Sequence, residues 1–309
     1  MSEAALPAAT AAPPPAEAKE ETPFRRFVRS FFEDRLATFG LCLFALIVLL
    51  ALAAPLIAPQ NPYDLASVDV MDSRLPPGDV AAEGFTMWLG SDGVGRDLLS
   101  GILYGLRISL MVGAFSGILA AGLGTAIGLI AAYTGGRTEN AIMRIVDLQL
   151  SLPSVLVALI LVAGLGKGVD KIIIALVMVQ WAYYARTVRG SALVERRKEY
   201  VEAAQSLGLS HARTVFRHIL PNCLAPVIVI VTVQTAHAIS LEATLSFLGV
   251  GLPQTEPSLG VLIANGFQYM LSGKYWISVF PGFALLMTIV SINLVGDRLR
   301  DVLNPRLEK

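Results

Sequence analysis

The segment that organises this sequence is residues 199–222, which read EYVEAAQSLGLSHARTVFRHILPN. Its first part, Glu199–Leu207, consists mostly of residues that tolerate a helix. Gly208 can adopt the left-handed conformation that commonly ends a helix, and the Ser210 hydroxyl can cap the next helix. Pro221 marks the boundary before the apolar run that follows. The segment therefore predicts a helix–turn–helix hairpin.

Each helix of this hairpin has a recognisable surface. In the second helix, Ala212, Phe216 and Ile219 recur at helical spacing, which predicts one shared apolar face. In the first helix, Ala203 and Ala204 carry minimal side chains. These two alanines would let the surface of a partner approach closely.

Long apolar stretches flank the hairpin. Of the 309 residues, 54% are hydrophobic and 16% are charged, against about 25% charge in a soluble domain. Five stretches without charge, and a sixth that continues past Arg186, approach the roughly 20 residues that a membrane span needs. They are Leu36–Tyr63, Ile108–Gly136, Leu148–Gly166, Asn222–Leu241 and Tyr275–Gly296, with Ile172–Ala185 as the sixth. Since backbone groups in lipid must be satisfied within the chain, the sequence predicts an all-α integral membrane protein with six transmembrane helices.

The positions of lysine and arginine predict the orientation. With the N-terminus in the cytoplasm, 18 of these residues lie on the cytoplasmic side and 6 outside, as the positive-inside rule requires. Both termini and the hairpin are then cytoplasmic. The predicted divisions are a disordered tail at 1–30, a first transmembrane helix at 36–58, an external segment at 59–104, a transmembrane core at 105–298 containing the cytoplasmic loop 190–221, and a cytoplasmic tail at 299–309. The formal net charge of zero gives no indication of a nucleic-acid partner.

Small residues and prolines shape the predicted spans. Four small residues follow one another every fourth position in the second span, a spacing that lets two helices approach closely. They are Ala120, Gly124, Gly128 and Ala132. Pro153 in the third span and Pro226 in the fifth each remove a backbone donor and can kink their helices.

Few ionisable residues lie at membrane depth. Asp147 is at the inner end of the third span, and His237 and Glu242 are in the outer half of the fifth. An ionisable group in a membrane is by default a functional hypothesis, so Glu242 and His237 are candidates for lining a substrate path. Hydrogen bonding within the helix packing is the alternative for both residues. Three such groups do not form a proton relay, which argues against a proton-coupled carrier.

Motifs of catalysis are missing from the sequence. It contains no G-x-x-x-x-G-K-[ST] loop, no H-E-x-x-H, no paired C-x-x-C and no G-x-S-x-G. His211 and His218 lie seven residues apart, but two histidines without a third ligand make a poor metal site. The sequence therefore predicts a chain that is not an enzyme and binds no metal or cofactor.

The hairpin also resembles a known motif. The EAA motif of permease subunits in ATP-binding-cassette (ABC) importers is similar to Glu202, Ala203 and Ala204, followed by Gly208 and by Leu220 with Pro221. Further segments resemble the C-type permease of the dipeptide/oligopeptide/nickel class, and the dipeptide permease most of all. They are Trp88–Ser100, Gly105–Leu110, Asp147 with Leu152–Pro153, Leu245–Gly249 and Asn293–Asp301.

The resemblance implies a type I-like permease fold and a set of partners. An external solute-binding protein would deliver the peptide, and a homologous B-type permease would supply the other half of the pathway. Two ABC ATPase subunits would use ATP and Mg. The complex would lie in the lipid bilayer of a bacterial plasma (inner) membrane. Nickel or another solute is an open alternative to a peptide, because the binding protein largely selects the solute.

The resemblance also implies roles for the residues of the motif. Glu202 is expected to make a polar contact to the ATPase, Ala203 and Ala204 to allow close approach, and Gly208 to form the turn. Leu220 and Pro221 complete the motif. A secondary transporter would need an ion-binding or proton-relay set, which this sequence lacks, and a mere scaffold would not need the hairpin.

Overall fold

The computed structural model describes residues 22–64 and 68–303. Regular structure within these residues is helical, apart from two isolated bridges in the external segment. The helices are α1 (Pro23–Phe32), α2 (Arg35–Ile57), α3 (Leu98–Thr134), α4 (Gly136–Ser151), α5 (Ser154–Leu165), α6 (Val169–Glu195), α7 (Glu199–Ser206), α8 (His211–Thr214), α9 (Leu220–Phe247), α10 (Leu259–Phe267) and α11 (Trp276–Val302), with a π turn at Val215–Ile219. The predicted all-α class is confirmed for this part of the chain.

Several helices are suited to cross a bilayer. Four are long and apolar enough: α2, α3, the continuous helix His211–Phe247, and α11. The pair α4–α5 adds a fifth if a bent pair counts as one span. The remaining stretch forms α6, which at 27 residues is long enough but carries Gln180 and Arg186. By length and composition the described residues therefore hold four or five spans, and the sixth stays a prediction.

The third predicted span is not one straight helix. The chain breaks at Leu152 and Pro153, and α4 and α5 are bent by 94° relative to each other. Pro153 has no N–H to donate back into α4, and it becomes the N-cap of α5. Because α5 has 12 residues, it is about 18 Å long and cannot span a bilayer alone.

Some predicted divisions also shift. Residues 1–21 and 304–309, most of the two predicted tails, lie outside the described residues. The tail predicted for 1–30 contains the start of α1, in which Phe31 is buried while Arg25 and Arg29 are exposed. This two-sided pattern stabilises a helix against the rest of the protein. At the other boundaries, α3 begins before residue 105 and α11 continues past residue 299.

Helices α3 and α6 pack along their length through the small residues predicted from the sequence. A Cβ added at Gly124 would lie 2.4 Å from the Trp181 carbonyl oxygen and 2.6 Å from the Tyr184 Cβ. One added at Gly128 would lie 2.6 Å from the Ala185 carbonyl oxygen. Only glycine allows these backbones to approach so closely, and the prediction of tight helix packing is confirmed.

The external segment before α3 is tied together by a buried ion pair. Arg96 Nε lies 2.7 Å from Asp92 Oδ2, and both side chains are almost fully buried. The Arg96 guanidinium also donates to the Gln254 carbonyl oxygen at 3.1 Å, which joins this segment to the loop after α9. Removing one partner from such a pair leaves an uncompensated buried charge, so the two residues fix the outer face together.

The hairpin runs directly into α9. Residues His211–Phe247 form one continuous helix, so the boundary predicted at Pro221 is not a break. The proline instead follows the π turn Val215–Ile219, in which the Leu220 N–H donates to the Val215 carbonyl oxygen. Pro221 cannot donate and its ring would clash with the carbonyl four residues earlier, so the widened turn accommodates it.

Candidate functional site

The turn of the hairpin has the geometry predicted from the sequence. Gly208 has a φ of +74°. Its N–H donates to the Gln205 carbonyl oxygen at 3.0 Å, and the Leu209 N–H donates to that of Ala204 at 3.2 Å, which together form a Schellman motif. The Ser210 hydroxyl accepts from the Arg213 N–H at 3.4 Å and caps α8. Both local predictions are confirmed.

The motif residues of α7 point in two directions. Glu202 and Ala203 are exposed, whereas Ala204 is 5% exposed and packs inward beside Val201, which is fully buried. The sequence-based expectation that both alanines face a partner is therefore wrong for Ala204 in this structure. The exposed face of α7 is extended by Leu207, whose side chain is 81% exposed.

The second helix of the hairpin does not have the single apolar face predicted for Ala212, Phe216 and Ile219. Ile219 is 2% exposed, but Phe216 is 67% exposed and Ala212 lies on the surface as well. The cause is the π turn, which adds a residue to one helical turn and rotates Ile219 away from the other two. Leu220 is half-buried and Pro221 is exposed.

Apolar packing holds α7 against the ends of the long helices. Val201 belongs to a buried cluster with Leu129 of α3, Val188 of α6, Ile219 of the π turn and Cys223 of α9. Three long helices thus meet beneath α7: α3, α6 and the continuous helix His211–Phe247. A displacement of α7 must act on all of them, because close-packed side chains transmit strain.

Polar contacts with no signal in the sequence pattern lie beside this cluster. The Tyr200 hydroxyl donates to Glu195 Oε2 at 2.6 Å and accepts from Asn222 Nδ2 at 3.1 Å. Glu195 Oε1 also lies 2.6 Å from Lys198 Nζ. Tyr200 and Asn222 stand near the two ends of the segment 199–222, but spacing alone gave no sign that they meet.

The two histidines of the hairpin have separate surroundings. His211 Nδ1 contacts the Tyr133 hydroxyl at the end of α3, while the His218 ring packs near Tyr200. No group of three or more His, Cys, Asp or Glu residues suited to a metal occurs in the described part of the chain. Arg196 lies over the Tyr133 ring and donates to the Ala132 carbonyl oxygen at 3.0 Å, which further anchors the loop to α3.

The two candidate path residues are placed differently. Glu242 is 0% exposed; it accepts from the Ser109 hydroxyl at 3.1 Å and from the Ser246 hydroxyl at 2.8 Å. The bond from Ser109 joins α3 to α9, and the bond from Ser246 lies within α9. Both favour hydrogen bonding within the packing over contact with a solute. His237 is half-buried, and its Nδ1 has no hydrogen-bond partner among the described residues.

Comparison with known proteins identifies the relatives of this chain. The family model for the binding-protein-dependent transport system inner membrane component matches residues 124–309, and that for the N-terminal TM domain of oligopeptide transport permease C matches residues 22–77. The chain is 37% identical over 288 residues to the di/tripeptide transport system permease protein of Pseudomonas aeruginosa, covering 93% of each protein. It is 36% identical over 279 residues to the oligopeptide transport system permease protein of Bacillus subtilis, covering 90% of this chain and 88% of that protein.

A solved structure shares the fold. The methionine ABC transporter MetNI, in an inward-facing conformation, gives a TM-score of 0.54 at 18% identity over 66% of this chain and 96% of the solved one. The predicted resemblance to the permease subunits of ABC importers is confirmed by the family models and by the Pseudomonas and Bacillus relatives. This chain belongs to the family of binding-protein-dependent transport system inner membrane components, the permease subunits of ABC importers.

Proposed function

We propose that this chain is the C-type permease subunit of an ATP-driven importer for dipeptides or oligopeptides, and that it forms half of the translocation pathway. The observation that carries the proposal is the hairpin, which presents Glu202 and Ala203 outward while Val201 packs it onto three long helices. The names of the Pseudomonas and Bacillus relatives support a peptide as the solute.

The mechanism assigns the chemistry to partner subunits. ATP and Mg bind to two ABC ATPase subunits, whose closure displaces the exposed face of α7. Gly208 sets the orientation of that face through the turn that follows α7. Ala204 packs α7 against the residues beneath it, and Leu220 and Pro221 connect the hairpin to α9. Helix α7 then responds both to the nucleotide state of the ATPases and to the state of the pathway. These two states are therefore coupled.

The pathway itself needs two further partners. An external solute-binding protein delivers the peptide, and a B-type permease supplies the second half of the path. Of the two candidate path residues, His237 has some exposed surface and Glu242 has none. The path assignment therefore rests on His237, with Glu242 joining the helices behind it.

A first test concerns orientation. We propose that the bacterial inner membrane is crossed six times with both termini in the cytoplasm. A reporter inserted after Gly208 should be cytoplasmic and one after Gly78 external; both glycines are exposed residues with positive φ. The same location for both reporters would contradict the arrangement.

A second test measures transport. The complex of this chain with its B-type partner, ATPases and binding protein, reconstituted in proteoliposomes, should import labelled dipeptides only when ATP is supplied. The chain alone should hydrolyse no ATP, because it has no phosphate-binding loop. Import of nickel but of no peptide by the active complex would overturn the proposed solute, and ATP hydrolysis by the pure chain would overturn the division of labour.

A further inference from the structure

The end of α6, the start of α7 and the part of α9 just after the π turn meet at one polar contact on the hairpin side of the protein. Glu195 is the last residue of α6, Tyr200 is the second residue of α7, and Asn222 is the third residue of α9. The Tyr200 hydroxyl stands between the other two, 2.6 Å from Glu195 Oε2 and 3.1 Å from Asn222 Nδ2. We call these three residues the latch.

The charges of the latch fix the direction of its hydrogen bonds. Burial, together with the hydrogen bond to Glu195 and its negative charge, raises the pKa of Tyr200 to about 12. Burial alone would raise the pKa of Glu195, but hydrogen bonds from Lys198 and Tyr200 outweigh it and lower that pKa. At neutral pH the hydroxyl therefore keeps its proton and donates to a charged carboxylate, which is the stronger class of hydrogen bond.

The latch also reaches the π turn. Asn222 Nδ2 donates to the His218 carbonyl oxygen at 2.8 Å as well as to the Tyr200 hydroxyl. This amide thus joins α7 to the turn in which the helix changes its geometry ahead of Pro221. Such turns occur often at functional sites.

The contacts of α7 divide its attachment into two parts. Val201 and Ala204 bury the inner face of α7, and Val201 packs in the apolar cluster beneath it; apolar burial of this kind is non-directional. The Tyr200 hydroxyl supplies directional bonds to α6 and α9 at once, and these resist rolling. Glu202, on the outer face, is free of this network.

We propose that Tyr200 is a positioning residue that makes α7, α6 and α9 move as one body, so that displacement of α7 by the ATPase reaches the pathway. The inference rests on the coupling role given to the hairpin under the proposed function. Without the hydroxyl, α7 keeps its apolar anchor but rolls against α9. ATP is then hydrolysed without a matching movement of the pathway.

The test is Tyr200→Phe in the complete complex in proteoliposomes. The number of peptides imported per ATP hydrolysed should fall at least about fivefold, the lower end of typical coupling effects, while subunit association and thermal midpoint stay at wild-type values. Tyr183→Phe is the matched control: it removes a hydroxyl from α6, and Tyr183 makes no side-chain hydrogen bond among the described residues. This control should leave the ratio unchanged.

Two further variants separate coupling from a merely structural role. Glu195→Gln keeps an oxygen that accepts from Tyr200, so it should retain most of the coupling. Asn222→Ala should lower the ratio, and the double variant with Tyr200→Phe should be no worse than the stronger single one, because both changes break one unit.

The results distinguish this inference from the function on which it rests. A Tyr200→Phe complex with the wild-type ratio of import to hydrolysis would overturn the latch and leave the importer intact. A loss of import that only parallels loss of subunit association would also overturn it. Failure of the wild-type complex to import any peptide would instead count against the proposed function.

Discussion

Gly208→Val is expected to abolish import while the chain still inserts into the membrane. The φ of Gly208 is +74°, a region that costs a residue with a Cβ about 1–2 kcal/mol and a β-branched residue more. A Cβ at Gly208 would meet no atom within 4 Å, so the cost is strain in the backbone alone. We expect the turn to relieve this strain by changing the angle between α7 and α8. The exposed face of α7 would then no longer be oriented toward the ATPase.

Variants matched to this one isolate the effect of backbone strain. Gly208→Asn should keep most of the activity, since asparagine tolerates the left-handed region. Gly190→Val in α6 adds the same side chain in open space without a positive φ, and it too should import. The measurements are ATP-dependent uptake of labelled dipeptide and co-purification of the ATPases.

The same hairpin predicts the result of adding bulk to α7. Ala203 is exposed on the face assigned to the ATPase, so Ala203→Trp should weaken ATPase association and import, whereas Ala203→Ser should not. Wild-type import by both Gly208→Val and Ala203→Trp in an intact complex would show that this hairpin is not the coupling element.

Features set by local chemistry could be predicted from the sequence. Gly208 takes its left-handed conformation because a glycine between two helices meets no Cβ penalty, and Ser210 caps α8 because its hydroxyl is the nearest acceptor. The close helix packing at the glycines of α3 could also be predicted, because small residues four positions apart lie on one face of a helix. None of these predictions needed knowledge of the rest of the fold.

Features set by distant parts of the chain could not be predicted in the same way. Ala203 and Ala204 are identical in type, and only the cluster around Val201 decides which of them faces inward. The π turn lies just before Pro221 at the start of α9, and it separates the buried Ile219 from the exposed Phe216. Likewise, Pro153 indicates a kink but not a bend of 94°.

Gly124→Leu is expected to destroy the fold of the permease. The carbonyl oxygen of Trp181 and the Cβ of Tyr184 would lie 2.4 and 2.6 Å from the new Cβ. Neither atom is the end of a flexible side chain, so α3 and α6 must separate. Overpacking of a well-packed core costs about 1–3 kcal/mol, occasionally more, and separating two central helices puts this variant at the upper end.

Gly122→Leu is the matched control, because it lies in the same helix two residues away, is exposed, and has no atom within 4 Å of an added Cβ. It gains helix propensity of up to about 1 kcal/mol over glycine, so the chain should accumulate normally. The readout is the thermal midpoint of the detergent-purified full chain, together with its level in the membrane. Equal midpoints for the two variants would mean that α3 and α6 can part without loss of structure. A lower midpoint for Gly124→Leu alone would show that the close approach of these two helices holds together the body on which α7 acts.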